Sequence, residues 1–140
     1  MTTSDGLIFY IDGASQGNPG PAGIGVVVCD NKGNVIDNIS EYLGENTNNA
    51  AEYSALIVAL EEGLVRKANS ITINTDSELL VKQLNHEYKV KEEKIQKLFL
   101  EVHNLQLDFG KIEFKHILRG KNTEADRLVN QVLDREQGRK

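Results

Sequence analysis

The hydrophobic period first turns from strand to helix near residue 48, and that change restricts the fold more than any other feature. Before it come three apolar runs of strand character, at residues 7–11, 24–29 and 35–43. The first, Leu7 to Ile11, is apolar throughout, as in a strand covered on both faces. Asp12 and Gly13 are expected to end it, and residues 13–23, with four glycines and both prolines, to form a loop. Residues 30–34 (Asp-Asn-Lys-Gly-Asn) suit a hairpin turn between the second and third runs, so the first three strands read as an antiparallel meander.

After residue 48 the period becomes helical. Over residues 49–67, Ala55, Leu56, Ala59, Leu60 and Gly63 share one face, while Glu61, Glu62, Arg66 and Lys67 turn to water. Residues 70–75 read as a short strand, Asp76 and Ser77 open a second helix through Leu79, Leu80 and Leu84, residues 92–107 form a third helix, and residues 112–118 alternate as a strand. Asn122 is placed to cap a last helix with the apolar face Ala125, Leu128, Val129, Val132 and Leu133. A helix between two strands of one sheet forms a crossover to a parallel neighbour. The expected fold class is therefore α/β, a five-stranded mixed sheet (antiparallel meander plus parallel strands) flanked by helices.

A chain of 140 residues, 39% hydrophobic, supports one core and one domain spanning residues 1–140, with residues 135–140 expected to fray. Cys29, the only cysteine, cannot form an internal disulfide and lies in an apolar run, as a packed hydrophobe would. No run approaches the length of a membrane span and the first residues do not resemble a signal peptide, so the expected setting is soluble, reducing and cytoplasmic. No obligate protein partner is expected, and the chain reads as a monomer. The net charge of -5 opposes simple electrostatic attachment to phosphates, unless some of the acids are neutralised by cations.

Four acids stand where the local pattern calls for an uncharged residue or the end of a buried element: Asp12, Glu52, Asp76 and Asp126. Asp12 continues the alternation Ile8, Tyr10, Asp12, and Glu52 heads the apolar stripe of the first helix. Asp76 ends the fourth strand, at the edge where ligands collect in such sheets, and Asp126 lies in the first turn of the last helix. Singly, Asp76 reads as a helix cap and Asp126 as a first-turn acid. Asp12 resists such an explanation, because burying an unpaired carboxylate costs several kcal/mol and its strand carries no basic residue. An all-oxygen set fits Mg²⁺ or Mn²⁺; His86, His103 and His116 lack zinc spacing. Carboxylates holding magnesium against a phosphate are the setting for two-metal phosphodiester hydrolysis.

The strings Tyr10-Ile11-Asp12-Gly13-Ala14-Ser15, Asn48-Asn49-Ala50-Ala51-Glu52-Tyr53, Asn74-Thr75-Asp76-Ser77 and Asn122-Thr123-Glu124-Ala125-Asp126-Arg127-Leu128 resemble the four acidic motifs of the ribonuclease H type 1 family, in that family's order and over about residues 7–134. The resemblance implies a ribonuclease H-like fold. It also implies Mg²⁺-dependent (two ions; Mn²⁺ as an alternative) endonucleolytic hydrolysis of the RNA strand of an RNA/DNA hybrid, leaving 5′-phosphate and 3′-hydroxyl ends. Asp12 would bridge both ions, Asp126 would complete the site that activates water, and Glu52 and Asp76 would serve the ion near the leaving 3′ oxygen, with Gly13 also at the metal site. Gly13, Ala14, Ser15, Asn18, Asn48 and Asn49 fall where the family touches ribose 2′-hydroxyls, and Thr47 resembles a phosphate contact on the DNA strand.

Two departures stand out. The loop before the last helix, Leu118-Arg119-Gly120-Lys121, lacks the histidine many members carry, and Arg119 is the residue to take over phosphate contact there. The tryptophan-bearing basic protrusion of some members is also absent, which leaves Lys82, Lys89, Lys91, Lys94 and Lys97 as the DNA-strand contacts. The rival readings are another nuclease on the same fold, acting on duplex RNA or junctions, and a non-catalytic hybrid-binding module.

Overall fold

The computed structural model describes residues 6–137. The elements run β1 (Gly6–Ser15), β2 (Gly20–Asp30), β3 (Val35–Asn46), α1 (Asn48–Val65), β4 (Ser70–Thr75), α2 (Glu78–Leu84), α3 (Glu93–Gln106), β5 (Lys111–His116), a 3₁₀ turn (Arg119–Lys121) and α4 (Thr123–Gln137). Their order is the one the hydrophobic periods predict. The sheet order is β3-β2-β1-β4-β5, with β1–β2 and β2–β3 antiparallel and β1–β4 and β4–β5 parallel; α1 carries the chain from the β3 edge across to β4, and α2 and α3 cross over between the parallel neighbours β4 and β5.

Two expectations are corrected. The first strand does not stop at Ile11 but pairs with β2 as far as Ser15↔Ala22, and β2 begins at Gly20, so the expected loop over 13–23 shrinks to residues 16–19. Glycine and proline were read as breakers there. Antiparallel pairing accommodates them, with the Pro21 carbonyl accepting from the Gln16 N–H at 2.8 Å. Second, residues 135–137 continue α4, since the buried Val132 and Leu133 hold its last turns to the sheet; the rest of the expected frayed tail, 138–140, lies outside the described residues. On α2, Leu80 and Leu84 are buried and Leu79 is exposed.

The two sheet faces are covered unequally. Leu7, Phe9, Ile11, Ile71 and Ile73 point to a core completed by Tyr53, Leu56 and Leu60 of α1, Leu80 of α2 and Ile95 and Val102 of α3. On the opposite face Val27 and Cys29 pack with Ala125 and Leu128 of α4, flanked by Ile8 and Tyr10. Cys29 is buried there, as its apolar context suggested. A buried hydrogen bond from the Tyr53 hydroxyl to Gln83 Oε1, 2.8 Å, ties α1 to α2. No helix among the described residues is long and apolar enough to cross a membrane.

Candidate active site

The site arises where one strand outruns its neighbour. β4 pairs with β1 only as far as Thr75↔Ile11, whereas β1 continues to Ser15 along β2. Past Ile11 the β4 side of β1 is therefore open, and Asp12 and Asp76 are the next residues of the two strands. Asp12 belongs to the face covered by α4, with Ile8 and Tyr10, as the alternation predicts.

Two glycines let the helices close on this gap. A Cβ on Gly13 would stand 2.4 Å from the Ala51 carbonyl oxygen and 2.7 Å from the Glu52 nitrogen, so only glycine allows α1 to bring Glu52 down to the strand. On the other face a Cβ on Gly25, the residue opposite Asp12, would stand 2.4 Å from the Ala125 carbonyl oxygen and 2.8 Å from Leu128 Cβ, where α4 delivers Asp126. Gly13 is expected at the metal site and at the ribose side, and no role is expected for Gly25. The structure supplies an internal cause for both, and the signal for Gly25 was a glycine between Ile24 and Val26 in an otherwise apolar run.

One carboxylate oxygen from each of Asp12, Glu52 and Asp76 lies within 4.8 Å of the others. Asp12 is buried, while Glu52 and Asp76 are partly buried. Asp126 is not in that trio but stands against Asp12, close enough to share a hydrogen bond with it. Among the described residues none of the four takes part in an ion pair. Burial, followed by the negative fields of Asp76, Asp126 and Glu52, pushes Asp12 up to about 8. Glu52 is raised to about 7, chiefly by burial and further by Asp76, against a lowering hydrogen bond from Ser77. Partly desolvated carboxylates crowded together with no basic residue paired to them fit a hard divalent cation, and an oxygen-only donor set suits that class of ion. His86, His103 and His116 are exposed and outside the cluster.

The residues expected at the ribose side gather at the start of α1. Asn48 Oδ1 accepts from the Ser15 N–H at 2.9 Å and from the Ser15 hydroxyl at 3.4 Å, and the Asn48 N–H donates to Asn18 Oδ1 at 3.0 Å. Asn49 Oδ1 is buried without a partner. Thr47, expected at a phosphate, is the N-cap of α1, its hydroxyl oxygen accepting from the Ala50 N–H. Asn122 stands at the start of α4 but its side chain does not cap: it is buried, and its amide nitrogen reaches Ile11 and Asp76. Arg119 is exposed in the 3₁₀ turn.

The lysines expected on the DNA strand divide. Lys82 Nζ is 3.2 Å from Glu78 and 5.0 Å from the Tyr88 ring centre, and Lys94 Nζ donates to Asn46 Oδ1 at 2.7 Å. Lys89 and Lys91 are exposed at a groove of about 290 Å³ that also takes in Asn49, Leu79 and Gln83. Lys97 is exposed on α3.

A family model described as "Reverse transcriptase-like" matches residues 10–132. The bifunctional protein Rv2228c of Mycobacterium tuberculosis is 36% identical over 129 residues, covering 91% of this chain and 35% of that protein. Ribonuclease HI of Halobacterium salinarum is 36% identical over 125 residues, covering 89% of this chain and 63% of that protein. The chain thus spans about a third to just under two thirds of the length of these curated relatives. Among solved structures, LC11-RNase H1 in complex with RNA/DNA hybrid superposes with a TM-score of 0.89 at 43% identity, over 94% of this chain and 99% of that one.

Proposed function

The chain belongs to the reverse transcriptase-like family as a ribonuclease H-like domain, and from that premise we propose that it is a divalent-metal-dependent endonuclease hydrolysing the RNA strand of RNA/DNA hybrids. The observation that carries the proposal is the meeting of Asp12, Glu52 and Asp76 in one partly buried gap among acids that make no ion pair. The resemblance to Ribonuclease HI and to LC11-RNase H1, the latter crystallised with a hybrid, supports the substrate class.

Asp12, Glu52 and Asp76, with Asp126 and the backbone of Gly13 beside them, would hold two Mg²⁺ ions, with Mn²⁺ as an alternative. Bound divalent ions supply activation of water and neutralisation of charge on the phosphate. In the reaction the water oxygen bonds to phosphorus and the bond from phosphorus to the 3′ oxygen breaks, which leaves 5′-phosphate and 3′-hydroxyl ends. The chain's own part is placement. Ser77 holds Glu52 through a hydrogen bond, and the close seating of α1 on Gly13 fixes that carboxylate's distance from Asp12.

Ser15, Asn18, Asn48 and Asn49, with Gly13 and Ala14, form the wall that would read 2′-hydroxyls; side-chain amides both donate and accept, as the 2′-OH does. Thr47, whose hydroxyl oxygen serves the helix, keeps its proton for a phosphate oxygen. Lys89, Lys91 and, more weakly, Lys82, Lys94 and Lys97 would steady the DNA strand, and Arg119 the scissile or released phosphate. A single domain, a monomeric state and a cytoplasmic setting complete the reading on the sequence alone.

The test is incubation with an end-labelled RNA/DNA hybrid with and without Mg²⁺, beside single-stranded RNA, duplex RNA, duplex DNA and a four-way junction. The expected result is metal-dependent cleavage of the RNA of the hybrid. No cleavage, or cleavage of the junction or duplex RNA in preference to the hybrid, would overturn the reading.

A further inference from the structure

We propose that Asn122 is a positioning residue for the acidic cluster, its side-chain amide holding Asp76 and the strand end before Asp12 in place instead of capping its own helix. The inference rests on the hydrolytic reading above and adds to it a residue that touches neither substrate nor ion.

An asparagine immediately before a helix ordinarily turns its side-chain oxygen onto the free N–H groups of the first turn. Asn122 has the position and lacks the bond. The residue is 1% exposed, and its Nδ2 donates to the Ile11 carbonyl at 2.8 Å and to Asp76 Oδ2 at 3.4 Å. Its Oδ1 is buried with no partner. An orphaned buried acceptor at the start of a helix is a local conflict that a plain structural cap would resolve by turning the amide oxygen onto the first turn. Here the donor end is committed to the gap and the acceptor end is left over, the kind of local rule-breaking that marks a functional constraint.

The partners explain the commitment. Ile11 is the last rung that β1 shares with β4, and Asp76 follows the end of β4, so Asn122 bridges the two strands where their pairing stops. Its backbone carbonyl also accepts from the Asp126 N–H at 3.1 Å, which ties the helix turn bearing Asp126 to the same point. One residue thus links the elements that carry Asp12, Asp76 and Asp126. A neutral donor suits the task, since it fixes the rotation of the Asp76 carboxylate without cancelling its charge, where a lysine or arginine would compete with a cation. Asn122 further belongs to the wall of a cavity of about 220 Å³ that Tyr10 and Cys29 also line.

Two substitutions separate positioning from capping. Asn122→Ser supplies a good N-cap and removes the long donor; Asn122→Asp keeps shape and capping oxygen but sets an acceptor against Asp76. For Asn122→Ser the expected result is a melting temperature equal to or above that of the wild type, Mn²⁺ affinity in the absence of nucleic acid reduced about 10–100-fold, and kcat on the hybrid reduced to a similar degree with KM nearly unchanged. Asn122→Asp, the variant to read if the serine protein does not fold, is expected to lose about tenfold or more in kcat with KM nearly unchanged. Wild-type Mn²⁺ affinity and kcat in Asn122→Ser would overturn the proposal. So would loss of folded protein in step with activity while the Mn²⁺ affinity of the folded fraction stays the same. A wild-type protein that cleaves no hybrid would defeat the functional reading alone, because the Mn²⁺ titration still judges Asn122.

Discussion

The two faces of the sheet bring acids to the same gap with unequal support. On one face α1 presents Glu52 from a helix whose Tyr53, Leu56 and Leu60 are buried in a core shared with α2 and α3. On the other, α4 presents Asp126 over a small cluster of Val27, Cys29, Ala125 and Leu128. Glu52 reaches the compact trio with Asp12 and Asp76, and Asp126 stands just outside it. The difference teaches that the well-packed face fixes the geometry of the trio. The smaller cluster on the other face leaves the first turn of α4, which bears Asp126, able to move at lower cost, while the buried Val129, Val132 and Leu133 hold the later turns.

The strongest way to break this comparison is to remove one acid at a time. Asp12→Asn should lower hydrolysis on the order of 10²–10³-fold or more, while Asp126→Asn should lower it less, about tenfold, because it lies outside the trio. Steady-state kinetics on a labelled hybrid decides; more than a tenth of wild-type activity in Asp12→Asn, or equal losses in both variants, would remove the distinction.

Next in size are the two glycines, since alanine at either position collides with helix backbone. Gly13→Ala presses on the helix tied into the large core and should lose about 2–3 kcal/mol of stability, read as a fall in melting temperature. Gly25→Ala presses on α4, which can lift. It should lose about 1 kcal/mol or less but about tenfold or more in kcat as Asp126 moves away. A Gly25→Ala protein with full activity would mean that α4 is held as firmly as α1.

A smaller effect concerns pH. A carboxyl whose folded pKa lies above its unfolded value gives stability that is present at low pH and lost as pH rises through the folded pKa. With Glu52 raised to about 7 and Asp12 to about 8, the metal-free protein should lose stability progressively from about pH 4 to pH 8. Asp12→Asn should flatten that decline, and millimolar Mg²⁺ should raise the melting temperature most at the alkaline end. Melting curves across this range, with and without Mg²⁺, make the measurement; a Mg²⁺ effect independent of pH would place the ion elsewhere.

The smallest effect belongs to the surface. Replacing Lys89 and Lys91 by alanine should raise KM about three- to tenfold at unchanged kcat and reduce the slope of log affinity against log salt by about 2. Lys82→Ala should do less, because Glu78 already engages that charge. An unchanged slope in the double variant would move the DNA strand to Arg119 and Lys121.

The element order, the buried faces of α1 and α4 and the four misplaced acids were all legible in the sequence. Hydrophobic period and the cost of burying charge are properties of neighbouring residues, and they survive whatever the rest of the chain does. The length of β1 was not, because Asp12, Gly13 and Ser15 stay in the strand only through partners such as Gly25, Ile24 and Ala22 on β2. Nor was the use of Gly25, whose meaning is its distance from Ala125, a hundred residues on. Asn122 was read as a cap because capping is local chemistry, yet its amide was claimed by Ile11, 111 residues away. The sequence by itself determined which residues must be inside and which charges need a partner. Only the tertiary structure decided which partner each polar group takes, since donors, acceptors and close approaches are chosen by three-dimensional distance once the helices have closed on the sheet.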